Sequence, residues 1–508
     1  MHTAPSDTEP GVSRTVPPQP TTTARAGRAL PQAVAALVVV LLLLVIVRLP
    51  WAGDLGMHAA TIERLRHNLM HPGNPLVDAD TPSPYYSPWM LVLGVVAKLT
   101  GLSVFVVLRL GAIVGLGLLV TGVWRYVRTL SAHRAAPALA LLALVFLWGP
   151  VLFNWSGFLG LNSLALTVAY PSVLALGLTF HFWAWLTRTV REPEPAAWRR
   201  WPALGLMWGL ILLCHQFTGV VASLGALAMV IAARPGRAVL LRLGAALALG
   251  MLLLGLWPYY DFFSLFSAGG NLEAIHKPLY ENLAERFGFV LLGVAALVLR
   301  FRRDRWDPLV LFFVLGALMF AAGGLSGHYS WGRAMPAALI PAQLAAALEA
   351  VAAGRRAVQT GWACVLGVAL AAGAWTQVGT LGYVIPKSAL PSVVADKYHT
   401  PWVGYHWITP WVKYGDVVMA RTTPARQIPA YGPYTVAPGY PDFFLKDEKS
   451  RNAAVDRYFA AGTSAAERQG IAREYGVRWV VGPKRLAGPG LRKVTTGPAH
   501  QVLFRVVR

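Results

Sequence analysis

The chain is 508 residues long, 56% hydrophobic and only 13% charged, with a mean hydropathy of +0.50, which excludes a disordered chain and an ordinary soluble globule. Its 45 Lys and Arg against 23 Asp and Glu give a net charge of +22. In a chain of this hydropathy that excess is the basic bias of short cytoplasmic turns, so membrane lipids are the expected surroundings and nucleic acid is not an expected partner.

Residues 1–30 are rich in Pro, Thr, Ser and Arg, as a disordered cytoplasmic tail would be. The apolar run 33–47 follows Arg25 and Arg28 and lacks a small-residue cleavage site, which predicts an uncleaved signal-anchor with its N-terminus inside. Residues 49–102 then form a first outside loop with two interfacial helices. One, near 55–70, has Met57, Ile62, Leu65 and Leu69 available to lie against lipid; the other, 88–102, is apolar but short and carries Lys98. Keeping 88–102 at the interface places Arg125, Arg128 and Arg134 inside, and the remaining chain then alternates in register with the positive-inside rule. The later spans run roughly 103–124, 136–153, 170–187, 201–215, 217–233, 238–257, 286–300, 308–323, 333–353 and 358–378, about eleven with the first. Their inside turns hold Arg188, Arg191, Arg199 and Arg200, then Arg234 and Arg237, then Arg300, Arg302, Arg303 and Arg305, then Arg355 and Arg356. Cys214 and Cys364 lie within apolar runs and read as small core residues.

An odd number of crossings leaves 381–508 outside, long enough for a small domain after the 31–380 transmembrane domain. Residues 415–420 and 477–482 read as short buried strands, 447–460 and 464–475 as helices with Ser464 and Glu467 as a capping pair, and 491–507 as a hairpin about Gly497 and Pro498. The expected fold is a polytopic α-helical protein of the plasma (inner) membrane, with about eleven transmembrane helices, interfacial helices in the first outside loop and a small α/β exoplasmic C-terminal domain.

Apart from Glu349, no Asp or Glu lies deep in an expected span, which weighs against proton- or ion-coupled transport. Polar residues gather instead in the outside loops 49–87 and 257–285. Asp54 opens the first interfacial helix, where it can serve as an N-cap, as a general base held at the membrane surface, or as both. His58 follows one turn later on the same face, an ordinary interfacial histidine or half of a metal pair. Asp78 and Asp80 form a D-x-D among turn residues, read as loop solvation or as contacts to a divalent ion or sugar. His215 between two spans reads as an interhelical polar contact.

Residues 30–130 resemble the GT-C superfamily of integral-membrane glycosyltransferases. The resemblance rests on a first span, an acidic residue just past it (Asp54), a surface helix, then SPYYSPWMLVLGVVAKLTGLS and the Arg-containing span VLRLGAIVGLGLL. It implies transfer of a sugar from a polyprenyl-phosphate donor in the outer leaflet to an acceptor in the cell envelope, with Asp54 as base or metal partner. Many members carry two adjacent acidic residues or a D-x-D there, where this chain has Asp54-Leu55-Gly56, so assistance by a divalent metal (Mg or Mn) stays open. Displacing a phosphate from an anomeric carbon also asks for positive charge on the leaving group. The candidates are Arg333 with His328 and Tyr329, and Lys277 with His276, each of which could equally snorkel or be solvated in a loop. Tyr85 and Tyr86, with the other outside aromatics, read as interfacial belt residues or as stacking surfaces for sugar. The leading expectation is an inverting glycosyltransferase with Asp54 as general base; the alternatives are a transporter or flippase of a lipid-linked saccharide, or a non-catalytic envelope scaffold.

Overall fold

A computed structural model describes residues 22–191, 198–267, 271–352, 354 and 356–507. Residues 1–21 of the expected tail and Arg355 of the last basic turn lie outside them. The helices, in chain order, are α1 (Thr22–Arg48), α2 (Leu55–His67), α3 (Pro88–Thr100), α4 (Val104–Leu130), α5 (Ala136–Phe146), α6 (Leu161–Thr167), α7 (Pro171–Arg191), α8 (Arg200–Cys214), α9 (Gln216–Ala233), α10 (Arg237–Gly255), α11 (Asn271–His276), α12 (Leu283–Phe287), α13 (Leu291–Arg303), α14 (Pro308–Ser326), α15 (Pro336–Glu349) and α16 (Arg356–Thr376). α1 thus begins inside the stretch read as tail.

This is a multi-pass membrane architecture. Among the described residues six helices are long and apolar enough to cross a bilayer, and up to eight if each of two bent pairs counts as one span. About eleven spans were expected, and the helices that fall below this length have identifiable features. α5, α8 and α15 have 11, 15 and 14 residues, short of the ~20 that a bilayer core requires, and α6 and α7 meet at a 120° bend. α15 is buried almost throughout against α5, α13 and α14, whereas α10 and α16 leave Leu241, Leu252, Val358 and Val368 exposed, as lipid-facing helices do. Cys364 is exposed on α16, so the expectation of a core residue holds only for Cys214.

The interfacial helices form where the sequence places them, but α2 does not lie against lipid. Ile62 and Leu65 are fully buried, and the Leu65 side chain is so close to Gly94 of α3 that a methyl group there would clash. Met57 packs with Ala60, Leu76, Val77 and Leu445 of the C-terminal domain. The expected apolar face is real; its partner is protein.

The C-terminal domain holds a five-stranded mixed sheet of β1 (Val417–Met419), β2 (Tyr434–Thr435), β3 (Val477–Pro483), β4 (Leu491–Thr496) and β5 (Gln501–Val506), in the order β2-β1-β3-β5-β4. β1 pairs parallel with β2 and β3, while β5 runs antiparallel to β3 and β4. Strand alternation sends Met419, Val480 and Phe504 toward the helices Glu448–Phe459 and Ala465–Glu474, and sends Val418, Val481 and Leu503 toward Tyr405, Ile408 and Ile428. Ser464 caps the second helix by accepting from the Glu467 N–H at 3.2 Å.

The loop between α1 and α3 and this domain are sewn together. Val77 forms a parallel bridge with Thr435 at the β2 edge, and the Thr435 N–H donates to the Leu76 carbonyl at 2.9 Å. Asn74 Nδ2 donates to Asp442 at 2.7 Å. Arg64, fully buried on α2, donates to the carbonyls of Gly432 and Pro433, both at 2.7 Å, and lies 3.6 Å above the Tyr434 ring. Gly56 is needed where α2 meets the domain, because a Cβ there would overlap the Arg426 carbonyl.

Arg64→Ala should therefore strand two buried carbonyls and cost about 3 kcal/mol, seen as a lower Tm and faster proteolysis within residues 400–440. Arg64→Lys should not restore the wild-type profile, since an ammonium lacks the planar fork and the stacking face. Wild-type protease resistance in Arg64→Ala would contradict this account of the docking.

Candidate functional site

The cation arrives on a tight turn. After α14 the chain makes a one-turn 3-10 helix, Tyr329–Ala334, which buries the Arg333 side chain before α15 begins. Glu273 of α11 pins the turn by accepting from the Ser330 N–H at 2.7 Å and from its hydroxyl at 2.8 Å. The Arg333 guanidinium lies 4.6 Å from the Phe217 ring and 5.8 Å from the Trp155 ring. No carboxylate of the described residues lies within 4 Å of it, and burial pushes its pKa down to about 10, so it stays protonated at neutral pH.

His215 is its neighbour. The ring caps α9, its Nδ1 lying 3.2 Å from the Thr218 backbone nitrogen and 2.8 Å from the Thr218 hydroxyl, and its Nε2 lies 3.4 Å from Arg333 Nη2. The two side chains meet at the cavity as a polar contact between segments, the kind of contact that the sequence suggests for His215.

The carboxylate arrives from the other side. Asp54 occupies the N-cap position of α2 but makes no capping bond, which leaves its carboxylate free for the cavity. Two tyrosines fix the peptides just before it: Tyr170 donates to the Ala52 carbonyl at 2.5 Å, and Tyr440 of the C-terminal domain donates to the Gly53 carbonyl at 2.7 Å. Burial raises the Asp54 pKa above its ordinary value of 3.8, opposed by the positive charges of Arg333 and Arg426. His58, one turn on, is pushed down to about 3 by burial and is therefore neutral. Its ring meets Tyr170 edge-on at 4.7 Å, and its Nδ1 has no hydrogen-bond partner among the described residues.

These groups share one cavity of about 450 Å³. Of the sequence candidates, Asp54, His58, Tyr85, His276 and Arg333 line it, as do His215, Tyr170 and Tyr440. Tyr86 does not; its hydroxyl donates to the Gly73 carbonyl at 2.7 Å and braces the loop. Lys277 and His328 are exposed outside the lining, with His328 2.9 Å from the Ser326 hydroxyl, and Tyr329 packs edge-on against Tyr280 at 5.5 Å. Asp78 and Asp80 are exposed on the loop surface. Among the described residues no three His, Cys, Asp or Glu come close enough to hold a metal ion. Asp54 and His58 both line the cavity, whereas Asp78 and Asp80 do not.

The opposite wall was not anticipated. It comes from the segment before α6 and from the α6–α7 bend, and presents Asn154, Trp155, Ser156, Ser163, Thr167 and Ser172. The available signal was a polar cluster, NWSG, interrupting an apolar stretch. Tyr440 and Phe443 were equally hidden, since nothing local says that residue 440 returns to residue 53.

No protein-family model matches the sequence, and no curated protein matches it. Solved structures do match. The arabinofuranosyltransferase AftD from Mycobacteria aligns over 94% of this chain at a TM-score of 0.59 and 18% identity, and a mutant form of it over 93% at 0.55 and 17%. The chain spans 40% and 41% of those chains. The oligosaccharyltransferase of Archaeoglobus fulgidus aligns over 88% of this chain and 69% of its own at a TM-score of 0.48 and 14% identity. The likeness to AftD is one of fold, and it bears out the GT-C fold that residues 30–130 resemble.

The raised pKa of Asp54 has a measurable cost. The folded protein holds that proton more tightly than the unfolded chain, so ionising Asp54 destabilises the fold. The penalty is absent below the ordinary value of 3.8 and complete above the raised folded value. Asp54→Asn removes it, so the variant should gain in Tm on wild type as pH rises from about 4 to 7.5. A Tm difference independent of pH would show that the carboxylate is not held in this way.

Proposed function

We propose that the chain is a membrane glycosyltransferase of the GT-C type, which moves a sugar from a polyprenyl-phosphate donor to an acceptor of the cell envelope. The observation that carries this reading is one cavity lined both by a buried cation with no salt bridge among the described residues and by a carboxylate free of capping bonds. A glycosyl phosphate supplies the anion for the first and, at its anomeric carbon, the reaction centre for the second. In this reading the N-terminus is cytoplasmic, the chain is multi-pass in the inner membrane, and the cavity and C-terminal domain face the extracytoplasmic side, where both substrates are presented.

The chemistry follows from the charges. The acceptor hydroxyl gives its proton to Asp54 as its oxygen bonds to the anomeric carbon, and the bond from that carbon to the phosphate oxygen breaks, its electron pair leaving with polyprenyl phosphate. Attack opposite the leaving group inverts the anomeric configuration. A carboxylate of raised pKa is a stronger base than one in water, and partial burial gives that basicity without a second carboxylate. Arg333 holds the phosphate and meets the charge that grows on it as the bond breaks, in a site where Phe217 and Trp155 keep water from its faces. His58, which is neutral, and His276 both line the cavity.

The test is turnover of purified protein in detergent with synthetic polyprenyl-phosphate sugars. Asp54→Asn should lower kcat by about 10²-fold or more, and Arg333→Ala by about 10²- to 10³-fold with Arg333→Lys in between. The acid limb of the wild-type profile should lie above pH 3.8. Undiminished transfer by Asp54→Asn would remove the base.

A further inference from the structure

The cavity has a charged side and a neutral side, and the second calls for its own ligand. Asn154, Trp155 and Ser156 are successive residues that all line it. Gly157 ends this segment at φ +85, a left-handed conformation that favours glycine, and brings it close to the cation. A Cβ there would sit 3.4 Å from His215 Cε1 and 3.8 Å from Arg333 Nη2. The segment is thereby held beside the proposed phosphate site by its backbone.

A buried network then sets the direction of each polar group. Asn162 Nδ2 donates to the Asn154 side-chain carbonyl, Asn162 Oδ1 accepts from Thr380 at 3.1 Å, and the Asn162 N–H donates to Gln377 Oε1 at 3.1 Å. Gln377 is locked in turn by donating to the Val145 carbonyl at 2.9 Å. With its oxygen committed, the Asn154 amide nitrogen is the group left for the cavity. Ser163 accepts from the Trp155 N–H at 3.1 Å and donates to the Phe153 carbonyl at 3.1 Å, while Ser156 donates to Ser172 at 3.0 Å. The Trp155 ring stands 5.9 Å from His276 and 5.8 Å from the Arg333 guanidinium.

We infer that Asn154, Trp155 and Ser156 form the subsite that recognises the sugar ring of the donor, with the Asn154 amide and Ser156 hydroxyl on its hydroxyl groups and the Trp155 ring against its apolar face. This rests on the proposed transferase reading and adds to it which residues discriminate among sugars. A neutral ligand carrying several hydroxyls suits this wall, which offers fixed amide and hydroxyl groups and no charge, while the phosphate of the same molecule suits Arg333. An indole presents a flat apolar face for C–H groups, and the network restricts rotation, so a sugar with a misplaced hydroxyl leaves an oriented group unpaired.

Binding separates the sugar from the phosphate. Full-length protein is titrated with polyprenyl phosphate and with a panel of polyprenyl-phosphate monosaccharides, and transfer is measured in parallel. Asn154→Ala should weaken the preferred sugar-bearing lipid about ten-fold, the worth of one good hydrogen bond, and leave sugar-free polyprenyl phosphate unchanged. Arg333→Ala should weaken both, and a wild-type melting curve for Asn154→Ala shows that its fold is intact. Asn154→Ala weakening both lipids equally, or neither, would overturn the subsite. A sugar preference lost in Asn154→Ala while no acceptor supports transfer would sustain the subsite and overturn the proposed reaction.

Discussion

The position of Asp54 depends on the docking of the C-terminal domain on the loop between α1 and α3, and the core of that docking is the buried Arg64. A guanidinium taken fully out of water costs several kcal/mol unless it finds acceptors. Here two carbonyls, of Gly432 and Pro433, accept from it, and the Tyr434 ring covers one face. The partners lie 368 and 369 residues away in the chain, so the arginine gains these acceptors only when the domain is seated. Seating brings Tyr440 onto Gly53 and the Arg426 backbone against Gly56. The roof of the cavity and the position of Asp54 follow from the same contact, and the expectation of a free interfacial helix gives way for this reason: the apolar side of α2 is needed as a docking surface.

The same logic separates what could be read in the sequence from what could not. Elements declared by local pattern appear where expected: α2, α3, β1, β3, the Ser464-capped helix and the terminal hairpin all follow from periodicity, caps and turn residues. Asp54 and Arg333 also stood out, because a lone acid after a span and a lone arginine in an apolar context are conspicuous by composition. β2 has only two residues, and no pattern of that length carries a signal. Lys277, His328 and Tyr329 were grouped with their neighbours in sequence, but on a tight turn adjacent side chains point apart, and only Arg333 and His276 turn inward. The neutral wall showed locally only as the polar run NWSG. Asn162 orients Asn154 from eight residues away, but Gln377 and Thr380 join them through hydrogen bonds spanning over two hundred residues, which leave no local trace. Length alone also misleads where burial replaces lipid: α15 can be short because protein surrounds it.

A comparison between two groups of arginines shows how charge divides structure from function in this molecule. At one end of α14, Arg300 contacts Asp307 at 2.6 Å and Glu349 at 3.7 Å, and Arg303 contacts Glu349 at 2.5 Å. Asp307 and Glu349 each have a basic partner there, and the cluster ties together the ends of α13, α14 and α15. At the other end of α14 the chain turns into Tyr329–Ala334 and buries Arg333 with no carboxylate in contact. Identical side chains, separated by one helix, are thus treated in opposite ways. A paired cluster is stable by itself and binds nothing further, whereas an unpaired buried cation, facing a half-buried carboxylate that burial has made more basic, stores a cost that only an anionic ligand relieves. In the proposed reaction, that asymmetry is what the donor phosphate meets at the Arg333 end of the bundle.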